Sequence, residues 1–387
     1  MMYFESKRLA QMERNFQSGG LSAGAARANA EREIIGTYKQ AGRLLETATF
    51  IADRHPDKSL SPFRMSAACA EQIISHAARP TEIDQGLHPS CSVATLEVRT
   101  YSRHPSAAAR MVADFATNLS YSSSKSKIGV PVDRESILSH QDSAHFVPRE
   151  SQRGIASQIF QVGAYNLMYR IGAPNLVFKQ EEVSAKAPSG DHVYDAFGKV
   201  KSDSNTNNVN WLLDAYDEIT SDGNIAAGNA GSGITGNSEQ SGRDARAPGS
   251  SPWIIGQSWY RDKKNNDRTV LVNNKEDLER VLEETQKRGN FPVVLIVDTR
   301  NQSLPQASSQ KDGNARGGSH VISIFGYEKG SVGRQSTVEL DNEWGADDDR
   351  LGKSAISVEQ AFDMMNNPND KLAGFFRSLS KLPYIFK

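Results

Sequence analysis

The hydrophobic pattern of this chain changes character past its middle. Up to about residue 220 most apolar residues recur at helical spacing; beyond residue 250 most alternate or run in short blocks, as strands do. Between the two lies SDGNIAAGNAGSGITGNSEQSGRDARAPGS, residues 221–250, mostly Gly, Ser, Asn and Ala. Such a stretch buries too little apolar surface to offset its ordering entropy, so it reads as a flexible loop or insertion. Helices first and a mostly antiparallel sheet afterwards predict an α+β fold. Within it, GSGITG at 231–236 fits a dinucleotide-binding pattern. With no strand read before it and no amphipathic helix after it, that reading fails.

Along the first part, ESKRLAQMERNF is one amphipathic helix, and AARANAEREIIGTYKQAGRLLETATFIADRH is a longer one after the SGG break. These make residues 1–57 an N-terminal helical extension ahead of a main domain, 58–387. Pro56, Pro62 and Pro80 punctuate the approach to a helix predicted from about Ser90, which Pro105 limits. SAAARMVADFATNLSY, SQIFQVGAYNLMYRIG and NWLLDAYDEI read as further helices, and residues 122–150 as polar and irregular. In the last third, SPWIIGQSWY, TVLVN, FPVVLIVDT, SHVISIFGYE and STVELDNEWG are strand candidates. KEDLERVLEETQKRG is a helix ending at Gly289.

Charge names no partner. The 45 basic and 46 acidic residues leave a formal net charge of −1, so no overall field draws nucleic acid or an anionic membrane. No apolar run is long enough to span a bilayer, and MMYFESKRLAQMERNF has no signal-peptide core. The expectation is a cytoplasmic protein, or one exported without a cleavable Sec signal, with no nucleic-acid or membrane partner. Two cysteines, Cys69 and Cys91, suit a reducing compartment. Cys69, in RMSAACAEQIISHAA, reads as a buried small hydrophobe.

Acyl transfer by a thiol needs a thiolate, a base beside it, a group that orients the base and donors for the oxyanion. Cys91, in QGLHPSCSVATLEV, follows Pro89 and Ser90, which suit a helix start. In a first turn the helix dipole and unpaired amides lower a thiol pKa. On this segment alone a nucleophile and a structural cysteine fit equally well. Gln85, six positions upstream and just before Gly86, carries an amide that can donate to an oxyanion; alone it reads as a surface Gln. His320 opens the strand HVISIFGY after glycines, and Asn342 on the next strand could accept a bond from its second ring nitrogen, fixing tautomer and plane. Trp344 could cover that bond. His88 is a second candidate base, but in a turn with nothing to orient it.

These blocks resemble the papain-like cysteine peptidase superfamily. In QGLHPSC, Gln and Gly precede the Cys at the family's interval. HVISIFGY is similar to its histidine strand, LDNEWG to its Asn-x-Trp-Gly segment, and the order Gln, Cys, His, Asn is the same. NWLLDAYDEI loosely resembles a Trp-containing helix of the calpain core, although no calcium-binding module is evident. The resemblance covers about residues 85–101 and 318–345, and the chain is distant from the secreted papains. It implies a papain-like two-lobed fold, a helical lobe with the Cys and a β-rich lobe with the His and Asn. It implies Cys91 as nucleophile, His320 as base, Asn342 as orienter and Gln85 at the oxyanion hole. Gly318 and Ser319 would bind substrate. The activity implied is hydrolysis of peptide bonds in a protein or peptide substrate, with no cofactor and no metal. The same thiol machinery also serves acyl transfer or deamidation in effectors, and a papain fold can persist as an inactive binding protein.

The chain departs from the family at Ser92, where an aromatic residue is usual, and in spacing. Papain relatives place the His about 130–150 residues after the Cys, whereas 229 positions separate Cys91 from His320. Insertions at 122–150 and 221–250 would absorb the excess. Elsewhere, His140, Asp142 and His145 in SHQDSAHF read as a solvated loop rather than metal ligands. Asp347, Asp348 and Asp349 read as an exposed acidic turn rather than a cation site. Arg243 and Arg246 are a weak processing signal.

Overall fold

A computed structural model describes residues 2–18, 21–54, 60–86, 88, 90–137, 145, 148, 152–181, 190–202, 209–222, 226–229, 253–256, 268–272, 274–298, 319–342 and 355–365. It is a mixture of helix and sheet, as expected, and divides into two compact units. One comprises residues 1–206, 210–223 and 343–349; the other comprises 207–209, 224–342 and 350–387.

The first unit is mainly helical. After α1 (Met2–Ser18), α2 (Ala23–Arg54) carries Ala26, Ala30, Thr37, Ala41, Leu44 and Ala48 at steps of three, four and seven, and all six are buried. Small residues on that stripe let α2 pack closely on α3 (Leu60–Ala78) and α5 (Pro105–Asn118). The N-terminal helices therefore belong to the same compact unit as the cysteine helix, α4 (Cys91–Arg103). Cys69 is fully buried in α3, and burial pushes its thiol up to about 12. Pro105 opens α5, whose end comes earlier than the sequence predicted. Leu119 is left-handed, and β1 (Ser120–Ser122) pairs antiparallel with β2 (Gly129–Pro131). The region from 122 onward is thus less irregular than expected, with a 3-10 turn at Glu135–Ile137 as well.

Helix α6 (Ile155–Gly172) is buried on every face from Ile155 to Tyr169, as is the whole of α4. An antiparallel meander follows that the sequence reading did not anticipate: β3 (Leu176–Gln180), β4 (Asp191–Asp195) and β5 (Val200–Ser202). Most of α7 (Val209–Thr220) completes this unit, its Tyr216 ring lying under the buried Arg99 guanidinium at 4.9 Å.

The second unit is built on a seven-stranded sheet. Its strands are β6 (Ala226–Asn229), β7 (Trp253–Gly256), β8 (Arg268–Leu271), β9 (Val293–Asp298), β10 (Ser319–Glu328), β11 (Thr337–Asp341) and β12 (Ile356–Ser357). They lie in the order β12-β11-β10-β9-β6-β7-β8. Every pairing is antiparallel except β6 with β9, which is parallel. Strand β6 corrects the reading of 221–250 as wholly loop, and it places a strand before GSGITG, which itself lies outside the described residues. Helix α8 (Lys275–Lys287) packs Leu278, Val281, Leu282 and Thr285 inward. Its N-cap Asn274 accepts from Asp277 N at 2.8 Å, and Gly289 takes a left-handed conformation just past its end. A short helix α9 (Val358–Met364), unforeseen from the sequence, starts in a capping box of Ser357 with Gln360.

Candidate active site

Helix α4 carries eight polar residues in a segment with no solvent-facing side: Ser92, Thr95, Glu97, Arg99, Thr100, Ser102, Arg103 and the Cys91 thiol. Buried polar groups cost several kcal/mol each unless bonded, so such a helix demands partners from its neighbours. Thr95 and Thr100 bond back to the carbonyls of Cys91 and Leu96, both at 2.7 Å. Ser92 and Glu97 draw on polar residues of α6, a helix otherwise apolar enough to be core throughout, while Arg99 lies over Tyr216 of α7 and Arg103 pairs with Asp222 at 3.6 Å.

Cys91 is the first residue of α4, 5% exposed, with Ser90 at the N-cap. Ser90 makes no side-chain capping bond; its Oγ donates instead to Gln161 Oε1 at 2.7 Å. Gln161 Nε2 donates to the Asp84 carbonyl and to Glu97 Oε2, each at 3.1 Å. Arg153 Nη1 donates to the same Gln161 oxygen at 3.0 Å, and Ser157 Oγ to Glu97 Oε1 at 2.9 Å. Gln85 is buried beside this turn, and its Oε1 has no hydrogen-bond partner among the described residues. Ser92 is satisfied by the Tyr165 hydroxyl at 3.0 Å.

The turn also contains a pair that corrects the sequence reading. His88 is fully buried, and its Nδ1 lies 3.0 Å from Asp191 Oδ1 at the start of β4. It is therefore oriented, contrary to the expectation of a turn histidine with nothing to hold it. Asp191 accepts a further bond from Gln180 Nε2 at 2.8 Å, and Gln180 Oε1 accepts from Arg153 Nη2 at 2.8 Å. Gln180 and Asp191 face each other in the β3–β4 register. With Nδ1–H donating to the carboxylate, Nε2 is the ring's acceptor; it has no hydrogen-bond partner among the described residues.

In the second unit, His320 lies near the start of β10, opposite Val297 of β9, and Asn342 is the residue immediately after β11. Antiparallel β10–β11 pairing brings the two together. His320 Nε2 and Asn342 Oδ1 are 2.6 Å apart, and both side chains are buried. An Nε2–H donor here fixes the tautomer with Nδ1 as acceptor. Burial pulls the imidazole down to about 4, the Asn342 bond opposing it only in part, so the ring is neutral near pH 7.

The structure thus joins His320 with Asn342, and it sets Gln85, His88 and Cys91 on one turn and helix start. Ser319 opens β10; Gly318 and Trp344 lie outside the described residues. So do His140, Asp142, the acids 347–349, Arg243 and Arg246. His145 engages Arg153 and Ile155 through its backbone. No three His, Cys, Asp or Glu that could hold a metal ion stand together among the described residues. Nor is any helix among the described residues long and apolar enough to cross a membrane. Sequence reasoning missed Asp191, Gln180, Gln161, Arg153 and Glu97. The available signal was Gln158, Gln161 and Asn166 inside an apolar helical run. No protein-family model, curated protein or solved structure matches the chain.

Proposed function

We propose that this chain is a papain-like cysteine peptidase that hydrolyses peptide bonds in proteins, with Cys91 as nucleophile and His320 as its base. The observation that carries the reading is the buried 2.6 Å His320–Asn342 bond. A histidine held by an amide oxygen, on adjacent strand ends, is what orients a base whose other nitrogen handles the proton. Cys91 at the start of α4 supports it, since first-turn amides favour a thiolate.

In the proposed reaction the Cys91 proton passes to His320 Nδ1, and the thiolate attacks the scissile carbonyl carbon. The Gln85 amide and the Cys91 backbone N–H donate to the oxyanion. The C–N bond breaks as the imidazolium protonates the leaving amine. Water, deprotonated by the now neutral His320, attacks the thioester carbonyl, and the thiol is regenerated with release of the acid. A sulfur anion beside the ring would raise its proton affinity above what burial alone gives. The proposal carries with it the two-lobed arrangement and the absence of any need for a cofactor.

A second reading keeps Cys91 and replaces the base. Asp191 holds His88 on the turn that leads to the cysteine, so a Cys91–His88–Asp191 set is the rival within the first unit.

Labelling with a peptidyl epoxide, combined with mass spectrometry of a peptide mixture, tests the proposal. Labelling should vanish in Cys91→Ala and survive in Cys69→Ala, and the peptides should be cleaved. Mass shifts without cleavage would assign the thiol to transfer or deamidation instead. Folded protein that neither labels nor cleaves would make it a binding protein with a papain-like fold.

A further inference from the structure

The N-cap of α4 is built in an unusual way. Ser is a favoured N-cap because its oxygen accepts from the second or third amide of the helix, worth about 1 kcal/mol. Ser90 forgoes that bond and gives its hydroxyl to Gln161, at 2.7 Å. Gln161 is a hub. Its oxygen takes Ser90 Oγ and Arg153 Nη1, and its nitrogen gives to the Asp84 carbonyl and Glu97 Oε2. It is buried to 1% exposure and bonded on both sides of its amide, so its orientation is fixed. Both residues that it straps, Asp84 and Ser90, bracket Gln85, whose buried Oε1 has no partner among the described residues.

We propose that Gln161 is a positioning residue for Cys91: by holding the Ser90 hydroxyl away from α4, it leaves the Ser92 amide to charge on the sulfur, the Val93 and Ala94 amides being bonded to the Ser90 carbonyl at 3.1 and 2.9 Å. The inference rests on Cys91 being the nucleophile. An N-cap hydroxyl that accepted from the Ser92 amide would compete with a thiolate for the same donor. Gln161 removes the competitor and, through Asp84, keeps the Gln85 segment in register with it. His88, held by Asp191, fixes the middle of the turn from β4.

Among the described residues, the titratable groups round this turn include Asp84 and His88 on it, Glu97 on α4, His76 on α3, Tyr165 on α6, Asp191 on β4 and Arg153 before α6, and the proposed function adds His320. None is altered in the variants below. The test is the pH–rate profile of Cys91 alkylation by iodoacetamide on the full chain, with the folded state checked by near-ultraviolet circular dichroism. Cys69, fully buried with its thiol raised to about 12, is the internal control.

Gln161→Asn, too short to reach both Ser90 and Asp84, should free the hydroxyl to cap the helix and raise the profile midpoint by about 0.5–1 pH unit. Gln161→Asn combined with Ser90→Ala should return most of that shift, since no hydroxyl is left to compete. Ser90→Ala alone should leave the midpoint within about 0.3 unit of wild type, and it keeps the question open to decision if Gln161 variants do not fold. An unshifted midpoint in folded Gln161→Asn, no recovery in the double variant, or a raised midpoint in Ser90→Ala would each overturn the proposal. The readout is the thiol itself. If peptides are not cleaved yet the midpoints move as stated, the peptidase reading falls and this one stands.

Discussion

Gly190 shows how closely single residues are fitted around the cysteine turn. Its φ is +62°, and a Cβ there would lie 2.2 Å from the Glu181 carbonyl oxygen and 2.7 Å from His88 Cε1. A side chain would be strained by its backbone conformation and would also push the imidazole away from Asp191. Gly190→Ala is therefore expected to lower stability by about 2 kcal/mol or more in denaturant titration. A loss within 0.5 kcal/mol would mean that the His88 ring has room to move. The Cys91 side of the candidate site was legible because a helix start announces itself through Pro, Ser and the apolar spacing that follows. His88's partner was not legible. Asp191 lies 103 positions away, in a short strand that no periodicity marked, and only the β3–β4 register puts it beside Gln180.

At the scale of elements, long periodic helices were readable and short strands were not. Helix α2 declares its buried face six times over, whereas β5 has three residues and β6 reads Ala-Ala-Gly-Asn, a sequence with little strand preference. Strand β6 exists because it pairs with β7 on one side and β9 on the other, which is a tertiary fact. Helix α8 illustrates the opposite case, where local chemistry suffices. Its Asn274 cap, acidic first turn and Lys287 in the last turn all agree with the helix dipole. Asn274→Ala removes one capping bond and is expected to cost about 1 kcal/mol. A thermal midpoint unchanged from wild type would show that the cap is redundant.

For the whole molecule, two histidines in different units make stability depend on pH in opposite senses. His320 has its proton affinity lowered by burial, to about 4 against an ordinary 6.5. Its contribution is present above pH 6.5 and is lost as pH falls through 4, by about 3 kcal/mol. Burial would lower His104 too, but its bonds to Asp222, at 2.8 Å, and to Glu33 outweigh that and raise it. Its contribution is present below pH 6.5 and is lost as pH rises through its folded value. Stability measured by denaturant should therefore peak near pH 6.5, and His104→Ala should flatten the alkaline side. A wild-type profile that rises steadily from pH 6.5 to 9 would contradict the His104 account. The central claim, that His320 serves Cys91 as base, is tested most directly by the second-order rate of peptidyl-epoxide labelling at pH 7. In folded His320→Ala the rate should drop at least about 100-fold, while folded His88→Ala should stay within about tenfold of wild type. Wild-type labelling in His320→Ala together with none in His88→Ala would contradict the claim and assign the base to His88.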